Sequence, residues 1–127
     1  MYMKTLKYKD FDGNEREEDF YFHLSEAELI EMKFSEAGGL EKFIERIVKE
    51  KDQKKMIEIF KDILIKSYGV KSVDGREFVK NKEETDKFVC SQAYNDLFML
   101  FVTNDKEAAA FINGIMPSDI ANKMNQA

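Results

Sequence analysis

The chain has a single cysteine, a single histidine and a single proline in 127 residues, and only six glycines. Cys90 has no second cysteine to pair with, so an intrachain disulfide is excluded and a reducing compartment fits. His23 stands alone, so a histidine-based metal site or a Ser-His-Asp triad would rest on it entirely. The glycines at 13, 38, 39, 69, 75 and 114 are scattered punctuation with no phosphate-cradling spacing. No apolar run approaches the ~20 residues that span a bilayer. The first residues, Met1 to Lys7, alternate like a strand and lack the apolar block of a signal peptide. The expected location is the cytoplasm.

Charge is also short on one side. The chain carries 20 basic and 25 acidic residues, a net charge of −5. Residues 10 to 31 hold nine acids against Arg16 alone, a local charge of −8. Such a surface repels phosphate backbones and speaks against nucleic acid as a partner. The eight bases of residues 42 to 66 are interleaved with five acids and read as a solvated helix face.

What is present is pattern. Tyr2, Leu6 and Tyr8 share one face of a strand over residues 2 to 9, and Asp12-Gly13-Asn14 is a turn. A second strand runs to about Leu24, with Phe20, Phe22 and Leu24 on one face and Tyr21 and His23 on the other. A lone hairpin is marginal in water, so it must pack on helices or gain a third strand. Ser25 and Glu28 have the spacing of a capping box, in which side chains and backbone N–H groups satisfy each other at a helix start. Strand and helix are thus joined without a linker.

Helices are expected over Glu26 to Ala37, stopped by Gly38-Gly39, and over Leu40 to Val48 on an amphipathic stripe. A third, capped by Asp52, should end at Tyr68 with Gly69 as its C′ residue and be contacted on two sides. Residues 70 to 82 look irregular, with Asp74-Gly75 marking a turn between short extended pieces. A fourth helix is expected from Glu83 to Val102, and a fifth opens at a second capping box, Asn104 and Glu107, and stops by Pro117. The fold class is α+β, an N-terminal β-hairpin packed on a bundle of about five α-helices. Residues 1–117 are expected to form a single domain (hairpin 2–24, helices about 26–116), and residues 118–127 a polar, flexible tail.

Chemistry-bearing groups are few. His23 reads as a polar cross-strand neighbour beside Asp19 and Tyr21, and Cys90 as a small buried residue in an apolar helix. Asp10, Asp12 and Asn14 match the start of a calcium loop, but Tyr21 stands where its closing glutamate belongs. No catalytic residues, cofactor or metal are expected. The run Leu97 to Val102 is apolar all the way round a helix, so it is covered either by this chain or by a partner. The hairpin's edges could accept added strands, or Lys7, Lys9 and the acids of the second strand could discourage such pairing.

Several stretches, taken in order, resemble the tail assembly chaperones of long-tailed phages and related prophages of Gram-positive bacteria. These are Asp10-Phe11-Asp12-Gly13, Glu18 to Leu24 leading into Ala27-Glu28-Leu29, and Gly38-Gly39-Leu40. Further on come Lys66 to Ser72, Asp74-Gly75-Arg76 with Phe78, and Ala108 to Pro117. The resemblance implies a non-enzymatic assembly factor in the host cytoplasm that coats the tape measure protein and recruits tail tube subunits. It also implies self-association and a longer form made by ribosomal frameshifting, with this chain the short form. Phe98, Phe101, Phe111 and Ile115 are the candidate client or self contacts, set against core packing as their other duty. The alternative reading is a tail structural or completion protein of the virion. A small enzyme using His23 or Cys90 and an acidic nucleic-acid mimic are the remaining hypotheses.

Overall fold

The computed structural model describes residues 1–35 and 53–115. Strands β1 (Tyr2–Lys9) and β2 (Glu15–Phe22) form the expected antiparallel hairpin, paired from Tyr2↔Phe22 to Lys9↔Glu15. Burial along β1 alternates residue by residue, and Phe20, Phe22 and Leu24 face inward as the period-two pattern requires. The turn is braced by the Asp10 carboxylate, whose Oδ1 accepts from the backbone N–H groups of Asp12 and Asn14 at 3.0 and 2.9 Å.

The helices among the described residues are α1 (Glu26–Ser35), α2 (Gln53–Ser67), α3 (Lys82–Val89), α4 (Gln92–Thr103) and α5 (Asp105–Ile115). Two short strands, β3 (Tyr68–Lys71) and β4 (Phe78–Val79), complete a four-stranded antiparallel sheet of order β1-β2-β3-β4. The fold is α+β, and the hairpin gains both the helices and the third strand. The Gly38-Gly39 stop, the Leu40 to Val48 helix, the Asp52 cap, the Pro117 stop and the tail from 118 lie outside the described residues, as do the side chains of Met56 and Ile59.

Three expectations are corrected. The segment after α2, expected as short extended pieces around Asp74-Gly75, is a small paired hairpin, and it begins earlier than expected. Tyr68 leaves the helix directly into β3 because β2 offers unpaired backbone to it at Tyr21 and Phe22. Gly69 is therefore a strand residue and not a left-handed helix cap; a Cβ there would lie 2.7 Å from the Phe78 ring. The long fourth helix is broken in two at Cys90 and Ser91. Ser91 caps α4 by accepting from the Tyr94 N–H at 3.3 Å, and the Ser91 N–H donates back to the Phe88 carbonyl at 3.0 Å. The break leaves Cys90 exposed, where a buried residue was expected. On α2, Phe60, Ile63 and Leu64 are buried and Ile65 is half-buried, while Ile57 is exposed.

One core joins hairpin and helices. Phe22 and Leu24 pack with Phe60, Ile63, Leu64, Phe88, Leu97, Phe101, Phe111, Ile112 and Ile115. Rings dominate it: Tyr68 stacks on Phe88 at 4.1 Å and Phe101 on Phe111 at 4.6 Å, and Phe22 meets Phe111 edge-on at 5.5 Å. The Leu24 N–H donates to the Ile115 carbonyl at 2.8 Å, satisfying a carbonyl at the end of α5 that its own helix cannot. Ser67, buried at the end of α2, donates from Oγ to the Ile63 carbonyl at 2.6 Å, and its own carbonyl accepts from the His23 N–H at 2.8 Å.

Candidate functional site

The titratable groups cluster where β2 meets α1. The capping box is complete: the Ser25 N–H donates to Glu28 Oε1 at 3.0 Å and the Glu28 N–H to Ser25 Oγ at 3.1 Å. Lys80, between β4 and α3, donates from Nζ to Glu28 Oε2 and to the His23 carbonyl, each at 2.6 Å. Burial alone would raise the Glu28 carboxyl, but the Lys80 ammonium and the Ser25 groups outweigh it and hold the pKa below its ordinary value. His23 lies above this clasp. Burial, then the N-terminal amine and Lys80, push its imidazole below its ordinary value. Its Nδ1 is buried without a hydrogen-bond partner among the described residues. Among the described residues no nucleophile is set against His23; the cluster clamps strand, helix and loop together.

The second expected capping box is half formed. Asn104 Oδ1 accepts from the Lys106 and Glu107 N–H groups at 3.1 and 3.2 Å. The Glu107 carboxylate turns instead to Lys4 of β1, at 3.2 Å. Beside it Tyr2 packs among Phe22, Phe101 and Phe111, and burial followed by the Glu107 charge pushes its hydroxyl up to about 12.

The four candidate contact residues are brought together, mostly indoors. Phe101, Phe111 and Ile115 are buried, at 3%, 0% and 0% exposure. Phe98 is half-buried against the core and stacks on Tyr94, so it alone of the four has accessible surface. Met99, next to it on α4, is exposed.

Outside the core, the far half of the β1–β2 hairpin carries most of the distinctive surface. Every residue from Glu15 to Asp19 is exposed. Arg16 Nε donates to Asp10 Oδ2 at 2.7 Å, and the Tyr8 hydroxyl donates to Glu18. The Arg16 guanidinium, with the two turn N–H groups, holds the Asp10 carboxyl below its ordinary value. Both Asp10 oxygens are therefore engaged by the turn, which is their structural duty in place of a calcium loop. At the tip Phe11 projects with 76% of its surface exposed. Lys7, Tyr8, Lys9, Glu15, Arg16 and Glu17 line an open hollow of about 510 Å³ near it. Phe11 is absent from the sequence-derived contact candidates, although a phenylalanine between two aspartates in a turn is itself the signal. Val73, fully exposed beyond β3, is absent from them too.

A braced hairpin with an apolar tip and strongly charged edges, standing on an aromatic core, defines a small α+β protein. The family model for phage tail assembly chaperones matches residues 1–127, and the chain belongs to that family. A comparison with curated proteins and another with solved structures find no match. Membership places the chain in tail assembly, with tail proteins as its partners. No helix among the described residues is long and apolar enough to cross a membrane.

Proposed function

We propose that this chain is a non-enzymatic holdase of the tail assembly pathway, which binds the tape measure protein and keeps it soluble until tail tube subunits gather round it. The observation that carries the reading is the match of the family model over the whole chain. A net charge of −5 supports it, because an acidic surface keeps a chaperone–client complex dispersed. A holdase works by mass action, lowering the free concentration of an aggregating client. Many copies along one long client give avidity without a tight single site, which favours self-association as well. The chain acts in the cytoplasm of the bacterial host, alongside a frameshifted longer form. Phe98 is the accessible candidate contact; Phe101, Phe111 and Ile115 reach a client only if α4 and α5 part from β1.

Co-expression with the tape measure protein, followed by affinity capture and native mass measurement, tests the reading. The expected result is a soluble complex with several copies of this chain per client, where the client alone precipitates. An equally insoluble client, with the chain present in stoichiometric copies in purified particles, overturns it in favour of a structural tail protein.

A further inference from the structure

Among the described residues the β1–β2 hairpin has two open edges, and they carry opposite charge. There β1 pairs with β2 on one side only. Its eight residues include Lys4, Lys7 and Lys9 and no acid. On the other side of the hairpin, β3 covers β2 only at Tyr21 and Phe22, so the edge from Glu15 to Asp19 has no strand beside it among the described residues. That stretch has four acids and one base. Lys7 and Lys9 stand opposite Glu17 and Glu15 on the outward face, yet none of the four makes an ion pair among the described residues. Their charges remain available to a second neighbour.

We propose that copies of this chain join head to tail, the β1 edge of one pairing antiparallel with the Glu15–Asp19 edge of β2 in the next. The proposal rests on the self-association put forward above and names the surface that performs it. Charge selects this pairing. Two β1 edges would set lysine against lysine, and two β2 edges acid against acid, both destabilising when directly opposed. Lysine on an edge strand guards against like pairing, but an acidic edge turns the same lysines into an attraction. Strand direction agrees, because repeating an antiparallel hairpin sideways keeps every neighbour antiparallel, and the register that clears β3 at Tyr21 and Phe22 sets Met3, Thr5 and Lys7 of one copy opposite Asp19, Glu17 and Glu15 of the next. Face agrees too: Lys7, Lys9, Glu15 and Glu17 all point outward, so the assembled sheet carries alternating basic and acidic stripes. The contact is heterologous, so it extends into a ring or an open row of copies and does not stop at a dimer.

The test is a fourfold charge exchange, K7E/K9E/E15K/E17K, which reverses both edges while keeping each pair within the hairpin complementary. Sedimentation velocity on the unaltered chain should show mass growing with concentration beyond a dimer, and falling in high salt. The exchanged chain should assemble with itself equally well but not with the unaltered chain. K7E/K9E alone should raise the concentration for half-association about tenfold or more. Should the exchanged chain fold poorly, hydrogen exchange on the unaltered chain gives a second reading. The amides of Met3–Lys7 and Glu15–Asp19 should gain protection as concentration rises. Free mixing of the two chains, saturation at a dimer, or unchanged protection at both edges overturns the edge assignment and leaves self-association standing. A chain monomeric at every concentration overturns both. None of these measurements involves the client, so the holdase reading is tested separately.

Discussion

The two ends of one hairpin live in different solvents. At the Tyr2↔Phe22 end, the inward side chains enter an aromatic core shared with α2, α3, α4 and α5. At the Lys9↔Glu15 end, a few residues away, β2 is exposed on both faces and the tip carries Phe11 in water. The local pairing is the same throughout. What differs is whether a helix lies behind it, and this divides the strand into a part that holds the protein together and a part free to meet others. Aromatic residues occur at both ends, so hydrophobicity alone does not tell core from contact surface.

The sharpest break of that contrast is Phe22→Ala against Phe11→Ser. Phe22 is wholly buried, and truncating it should cost about 3–5 kcal/mol in urea unfolding. Phe11→Ser should stay within about 0.5 kcal/mol of the unaltered chain while weakening capture of a tail-protein partner. Equal losses of stability would mean that the tip is packed after all.

Gly114→Ala probes the same buried end from the helix side. A Cβ there would lie 2.9 Å from Tyr2 Cβ, an atom too close to the β1 backbone to swing aside. The overpacking cost of about 1–3 kcal/mol should exceed the helix-propensity gain of about 1 kcal/mol. Gly69→Ala should be milder, since the contact there is the far side of the Phe78 ring. Thermal unfolding of the two variants side by side checks the order.

Lys80→Met removes the clasp at the root of β2, and a loss of about 1–2 kcal/mol is expected for a half-exposed charged hydrogen bond. The clasp also sets a pH dependence. The Glu28 pKa is lowered on folding, so its contribution is present above its ordinary value of 4.5 and is lost as pH falls through the folded value. In Lys80→Met this part of the acid destabilisation should shrink.

The smallest effect expected is that of His23. Its folded pKa is also depressed, so the unfolded chain takes up the proton first and stability declines as pH falls below the ordinary value of 6.5. His23→Gln should flatten the stability profile in that window. An unchanged slope would show that His23 is as easily protonated folded as unfolded.

Much of the buried half could be read from residues alone. The period-two alternation over residues 2 to 9 and at Phe20, Phe22 and Leu24 marks the strands, and Ser25 with Glu28 marks the start of α1. These are signals between near neighbours in the chain, where geometry leaves little choice. The outward half was harder to read. Phe98, Phe101, Phe111 and Ile115 were singled out by apolar content, which does not distinguish a side chain that touches a partner from one that touches its own fold. Phe11 enters only within the Asp10-Phe11-Asp12-Gly13 stretch and not as a contact residue, because a single apolar residue in a charged turn has no periodicity.

By itself, then, the sequence determined the hairpin, its turn, the first capping box and the α+β class, because each depends on contacts within a few residues. Tertiary structure decided the rest. Tyr68 to Lys71 became a strand only because β2 offered an edge to it. Glu107 left its capping role because Lys4 came within 3.2 Å across the fold. Cys90 was turned outward by the break ahead of Ser91, where the chain bends to lay α4 on the core. Each is a competition between a local partner and a distant one, and only the folded chain brings the distant partner close enough to win.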